Sequence, residues 1–159
     1  MELIRPEMEQ DAAAVRRVHE TAFPTTAEAD LVERLRASGK AVVELVALDE
    51  SDIIGHILFS PVFLEPRAGT VGLGLAPVAV MPAHVKQGVG RRLIQNGLAE
   101  CHRWGAGFVV VIGDPPYYSR FGFEPASKFG LRSEFDAGDS FMVFRLESGA
   151  LPPEGTLVK

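Results

Sequence analysis

Between Val78 and Leu93 the chain passes from an apolar stretch, Val78-Ala79-Val80-Met81, through a short basic loop into a helical pattern, with Gly88 and Gly90 two apart at the junction. Apolar strand, tight turn and helix in that order leave few folding solutions, because the strand must be buried and the helix must pack back over it. Glycines lack a Cβ, so another molecule can approach the main chain closely there. The first turn of a helix also presents unpaired N–H groups and a partial positive charge. Lys86, Arg91 and Arg92 add mobile cations around that point. By physical reasoning this is a pyrophosphate cradle. It has no Gly-Lys-Ser/Thr ending, so it is not a Walker A loop, and it lacks the third glycine of a dinucleotide fingerprint. On these residues alone, a strand-to-helix turn without a ligand is the alternative.

Charge supports a local anion site rather than a general one. The 159 residues carry 16 Lys+Arg and 21 Asp+Glu, a formal net charge of −5, which argues against phosphate-backbone binding to nucleic acid. Residues 1–50 hold all of that excess, whereas Pro82 to Arg103 sets Lys86, Arg91, Arg92 and Arg103 against the single acid Glu100. A solvated helix face would show the same bias. With 47% hydrophobic residues the chain fits one ordinary globular core. No apolar run approaches the roughly 20 residues of a membrane span, and Met1-Glu2-Leu3-Ile4-Arg5 does not start like a signal peptide. Cys101 is the only cysteine, which excludes an internal disulfide and a Cys-rich zinc site. The expectation is a single-domain, metal-free cytoplasmic protein.

Periodicity sets the element order. Leu3–Arg5 reads as a first strand and Asp11–Ala22 as a helix, with Ala14, Val15, Val18 and Ala22 inward. Thr25-Thr26-Ala27-Glu28 has capping-box spacing before a second helix carrying Leu31, Val32 and Leu35, which Gly39 stops. Ala41–Leu48 and Ile53–Leu64 read as antiparallel strands, and Val71–Met81 as a third, interrupted by Gly72, Gly74 and Pro77. Gly88–Trp104 is a long amphipathic helix with Val89, Leu93, Ile94, Gly97, Cys101 and Trp104 on one side. Phe108–Ile112 is a fully buried strand, Asp114–Phe123 is turn-rich, and a late strand lies near Phe141–Leu146. The predicted order, β-α-α-β-β-β-α-β-(α)-β, is an α/β (α+β) domain, largely antiparallel at first, with one β-α-β crossover.

The strand-loop-helix resembles the coenzyme A motif, Gln/Arg-x-x-Gly-x-Gly/Ala, of the GCN5-related N-acetyltransferases (GNAT). A second block, Gly113-Asp114-Pro115-Pro116-Tyr117-Tyr118-Ser119-Arg120-Phe121-Gly122-Phe123, is similar to the Gly-Asp-Pro-x-Tyr-Tyr-x-Arg-Phe-Gly-Phe motif of a bacterial branch of that family, as is Gly55-His56-Ile57-Leu58-Phe59-Ser60-Pro61. The resemblance spans about residues 3 to 147. It implies a single N-acetyltransferase domain over 1–159, with a mixed, mostly antiparallel central sheet and helices on both faces. One position departs from the motif: Val85 stands where Gln or Arg is usual. Because the loop acts mainly through backbone N–H groups, binding is expected to persist, with some charge moved to Lys86.

The resemblance also implies roles. Acetyl-CoA would be the cosubstrate, its pantetheine paired along Val78, Ala79 and Val80, and its pyrophosphate held by Lys86, Gln87, Gly88, Val89, Gly90 and Arg91. Tyr118 would protonate the departing thiolate, with Tyr117 the alternative in the same turn. The acceptor would be a small-molecule or protein amine, attacking the thioester directly, and a homodimer is one expectation for the fold. No nucleic acid, membrane or metal is implied. An alkyl amine with pKa ~10.4 needs help to lose its proton at pH 7. For that base the residues offer Glu44 and His56, each with a structural alternative, while His84 more readily meets phosphate or solvent. Asp114 is expected to cap the Tyr117-Tyr118 turn, and Cys101 to be core. The acidic first 50 residues, with Glu28, Asp30 and Glu33, would suit a cationic acceptor. A non-catalytic acyl-CoA-sensing module, or a scaffold alone, are the competing readings.

Overall fold

The protein is described from a computed structural model that covers residues 2–146 and 151–159. Met1 and the last position of the family resemblance, Glu147, lie outside the described residues. Two compact units emerge, residues 1–60 with 75–100 and residues 61–74 with 101–159.

In the first unit, β1 (Glu2–Pro6) pairs antiparallel with β2 (Val43–Asp49), and β2 pairs antiparallel with β3 (Asp52–Pro61). The turn joining β2 and β3 places Glu50 at φ 56°. β5 (Gly72–Val80) is the next neighbour of β3, and Met81 N–H donates to Ile54 O at 2.7 Å. The first three residues of β5 belong to the second unit. Helices α1 (Ala12–Ala22) and α2 (Ala27–Ala37) pack together and present Val15, Val18 and Val32 to a core shared with Val46, Leu48, Ile53, Leu58 and Ala79. Their period-3.6 apolar positions and the period-2 positions of the strands meet there, as binary patterning requires.

The helix α3 (Val89–Trp104) is the one read from Gly88. Val89, Leu93 and Ile94 are fully buried, but Trp104 is 43% exposed, because the helix ends there and Gly105 at φ 105° turns the chain away. Gly97 has a packing reason: a Cβ there would lie 2.5 Å from the ring of Phe59, so helix and strand touch backbone to ring.

In the second unit, β5 pairs parallel with β6 (Phe108–Ile112) from Gly72↔Phe108 to Gly74↔Val110. β6 pairs antiparallel with β9 (Phe141–Arg145), and β9 with β7 (Glu124–Pro125). The Phe108 ring lies over Gly72, where a Cβ would come within 2.1 Å of it. A second, small sheet joins β4 (Leu64–Glu65), β10 (Leu157–Val158) and β8 (Arg132–Ser133), and Val158 enters the core with Phe108, Val110, Leu131 and Phe141. This sheet lies outside the predicted element order. Strands of two residues carry no periodicity to read.

Candidate active site

The loop between β5 and α3 begins as a 3-10 turn, Pro82–His84. Lys86 (φ 67°) and Gly88 (φ 82°) both take positive φ, so the main chain curls back on itself before the helix. Gln87 is held on both sides: its side chain accepts from His84 Nδ1 at 3.3 Å, and its carbonyl accepts from the Arg92 guanidinium at 3.5 Å. His84 is thus tied within the loop. Arg92 N–H donates to Gly88 O at 3.0 Å, which leaves the N–H groups of Val89, Gly90 and Arg91 as the first helical donors, with no acid in the first turn. Such a curl beside a helix N-terminus forms an anion-binding concavity. Val85 is 51% exposed and adopts an extended backbone, so the departure from the motif costs no buried contact.

A lysine at φ 67° carries strain that glycine does not. Lys86→Gly is therefore expected to stabilise the fold by about 0.5 kcal/mol after the flexibility of glycine is subtracted, whereas Lys86→Ala brings no gain. Urea midpoints of the two variants check this; equal midpoints would show that the loop is unstrained.

In the second unit, α4 (Pro115–Ser119) carries both tyrosines. Tyr118 is buried, 8% exposed, and its ring packs against Gly113, where a Cβ would lie 2.3 Å from it. The rings of Tyr117 and Phe123 meet it edge-on at 5.1 and 5.6 Å. Burial, with Tyr117 beside it, pushes the Tyr118 hydroxyl up to about 12. The phenol is thus protonated at every physiological pH, the state a proton donor needs. Tyr117 is half-buried and also raised by burial. Asp114 occupies the N-cap, but no side-chain bond caps the turn; its carbonyl accepts the N–H groups of Tyr117 and Tyr118 instead.

Glu44 and His56, read separately as candidate bases, are brought together. His56 faces Val46 across the β2–β3 ladder, and Glu44 lies two residues along on the same face. That diagonal relation lets long side chains meet. Glu44 Oε2 is 2.6 Å from His56 Nε2 and 2.5 Å from an Arg36 nitrogen, and His56 Nδ1 is 2.8 Å from His19 Nε2. His19 and His56 are fully buried, and Arg36 also reaches Glu7 at 3.4 Å. The Arg36 and His56 hydrogen bonds outweigh burial and hold Glu44 below the usual carboxylate range. Burial, with His56 and Arg36 nearby, takes His19 down to about 3, and burial also lowers His56. His19 and Arg36 were missed from the sequence. His19 at least carried a signal, standing beside Val18 on the inward face of α1.

The capping box at Thr25 does not form. Thr26 is the N-cap of α2 and its hydroxyl donates to Asp30, while Thr25 Oγ1 accepts from Ala27 N–H. Arg16 engages Asp30 at 3.1 Å and Glu33 at 3.0 Å, so two of the three acids proposed for a cationic acceptor are already neutralised. Glu28 Oε1 is buried with no partner. Cys101 is buried. Among the described residues no group of His, Cys, Asp and Glu could hold a metal, and no helix is long and apolar enough to cross a membrane.

The mixed sheet with its helices defines an α/β protein. A family model described as "Acetyltransferase (GNAT) domain" matches residues 3–126. The chain is 40% identical over 151 residues to the N-acetyltransferase YhbS of Escherichia coli strain K12, covering 94% of this chain and 90% of that one. The crystal structure of YhbS from Escherichia coli in complex with CoA superposes with a TM-score of 0.92 at 39% identity, covering 99% of this chain and 88% of that one. A GNAT acetyltransferase from Brucella melitensis in complex with acetyl-CoA superposes at 0.83 and 34% identity, over 98% and 94% of the two chains. The chain belongs to the GNAT acetyltransferase family.

Proposed function

We propose that residues 1–159 form one N-acetyltransferase domain, cytoplasmic and bacterial, that moves the acetyl group of acetyl-CoA to a primary amine by direct attack. The observation that carries this reading is the loop at Lys86–Arg91, whose positive-φ residues and free helix N–H groups suit a pyrophosphate, in a chain whose relatives were crystallised with CoA and acetyl-CoA. Val78, Ala79 and Val80 would pair their backbone with the pantetheine amides. Lys86, Gln87, Gly88, Val89, Gly90 and Arg91 would hold the pyrophosphate. Tyr118, kept protonated by its burial, would give its proton to the CoA thiolate as the carbon–sulfur bond breaks. No enzyme nucleophile is required, and Cys101 in the core is not placed to be one. Glu28, the acid that Arg16 leaves unpaired, favours a cationic acceptor, small or protein-borne.

Calorimetric titration with acetyl-CoA, with dephosphorylated and pantetheine-only analogues alongside, tests the loop. Micromolar binding that collapses when the pyrophosphate is removed is expected. Equal affinity for the pantetheine-only analogue would move the anchoring away from Lys86–Arg91.

A further inference from the structure

Between β3 and β5 the chain folds back on itself and encloses a crevice of about 190 Å³ in the second unit. Backbone bonds fix its two sides. On one, Val62 N–H donates to Gly72 O at 3.1 Å, and Phe63 exchanges N–H···O bonds with Lys159 at 3.0 and 2.8 Å. On the other, Val71 O accepts from Gly107 N–H at 2.8 Å. Val62 and Leu64 are half-buried on the core that contains Phe108 and Val158, which gives the crevice an apolar floor. Phe63 and Val71 also line it, yet they are 59% and 48% exposed. A single exposed apolar side chain is ordinary. Two that flank one crevice over an apolar floor make a contiguous apolar surface between fixed walls, the form a small-ligand site takes.

Two polar side chains, Arg67 and Thr70, line the same crevice. Arg67 is exposed, and no acid among the described residues pairs with it. Glu65, the nearest acid along the chain, is held by Lys159 at 2.8 Å. A guanidinium fork meets a carboxylate through two parallel N–H···O bonds. The lining offers one such cation and no helix N-terminus, which suits a monoanion rather than a phosphate dianion. We propose that this crevice binds a small monocarboxylate with an apolar body, a single ring or a short branched chain. The body rests on Val62, Phe63, Leu64 and Val71, and the carboxylate pairs with Arg67. Volume sets the size: 190 Å³ lies below the ~300 Å³ at which drug-sized pockets begin, and it equals about six waters at ~30 Å³ each. All the lining residues fall within 62–71, and none belongs to the set proposed to hold acetyl-CoA. The site therefore goes beyond the acyl-transfer reading and stands or falls without it.

Amide NMR of the intact protein, titrated with phenylacetate, phenylacetamide and acetate, tests the site. Phenylacetate is expected to shift the amides of residues 62–71 with a Kd of about 1 mM. Phenylacetamide keeps the body without the charge, and acetate keeps the charge without the body. Each is expected to bind about 10-fold more weakly or worse. Arg67→Gln is expected to bring phenylacetate down to the level of phenylacetamide and to leave phenylacetamide where it was. Val71→Trp, a bulky side chain at an exposed position, is expected to block both. Both positions are exposed, so an unchanged urea midpoint is expected to show that each variant is folded. No shift at about 10 mM phenylacetate, ten times the expected Kd, overturns the proposal. Equal affinity for acid and amide overturns it too, as does an Arg67→Gln variant that still prefers the acid. Shifts that centre on residues 86–91 instead of 62–71 also overturn it, because the anion would then be held by the loop before α3.

Discussion

Acidification from about pH 7.5 to 5 is expected to remove about 2 kcal/mol of folding stability through His19 alone. Its native value lies near 3, well under the ordinary 6.5, because burial, with His56 and Arg36 nearby, disfavours the cation more than Glu44 favours it. Below pH 6.5 the unfolded chain therefore binds a proton that the native protein refuses. Stability is flat above that value and falls by about 1.4 kcal/mol per pH unit as the pH drops toward 3. His56 is shifted in the same direction and steepens the loss. Glu44, held below its usual range, contributes stability above about 4.5 that disappears as the pH falls further. Glu7, raised by burial and by Glu44, has the opposite sign and offsets a part. Urea midpoints measured at several pH values check this. A midpoint unchanged between pH 7.5 and 5 would mean that the histidines titrate normally in the native state.

Tyr118→Phe is expected to lower kcat by about 100-fold or more while leaving acetyl-CoA affinity unchanged. The substitution keeps the ring, so its packing on Gly113 and against Phe123 is retained and the fold is undisturbed. Only the hydroxyl proton is lost. Because that proton is held up to about 12, the wild-type rate should show no loss assignable to tyrosine ionisation below about pH 10. A variant with full kcat, or Tyr117→Phe producing the loss instead, would move the role to the half-buried neighbour or remove it from the turn.

Long elements were legible because their side chains repeat. The bounds of α3 and of the run Phe108–Ile112 appear as predicted to within a residue, but Trp104 and Ile112, the last residue of each, are exposed where the pattern read them as inward. Pro115-Pro116 read as turn material, yet proline fits the first positions of a helix, where no N–H bond is needed, and α4 begins there. Thr25 and Glu28 had the right spacing for a capping box, but the helix starts at Ala27, which makes Thr26 the cap and leaves Glu28 without its backbone partner. The tight curl between strand and helix at Lys86–Gly88 could be read because its glycines mark a turn in the sequence itself. The histidine chain could not. Its contacts depend on the β2–β3 register, which sets His56 beside Glu44, and on how α1 docks over those strands. Neither is encoded by the spacing of His19, Glu44 and His56 along the chain. Only the register shows that two candidates for one role belong to a single hydrogen-bonded line.

The contact between Gly97 and the Phe59 ring lies eight residues, about 12 Å, along α3 from Val89. A rigid rod held at that point behaves as a lever: lifting it at the fulcrum swings the far end, which carries the loop at Lys86–Arg91. On the proposed cofactor reading, affinity would answer to a residue that never meets the cofactor, through the thickness of the side chain between one helix and one strand.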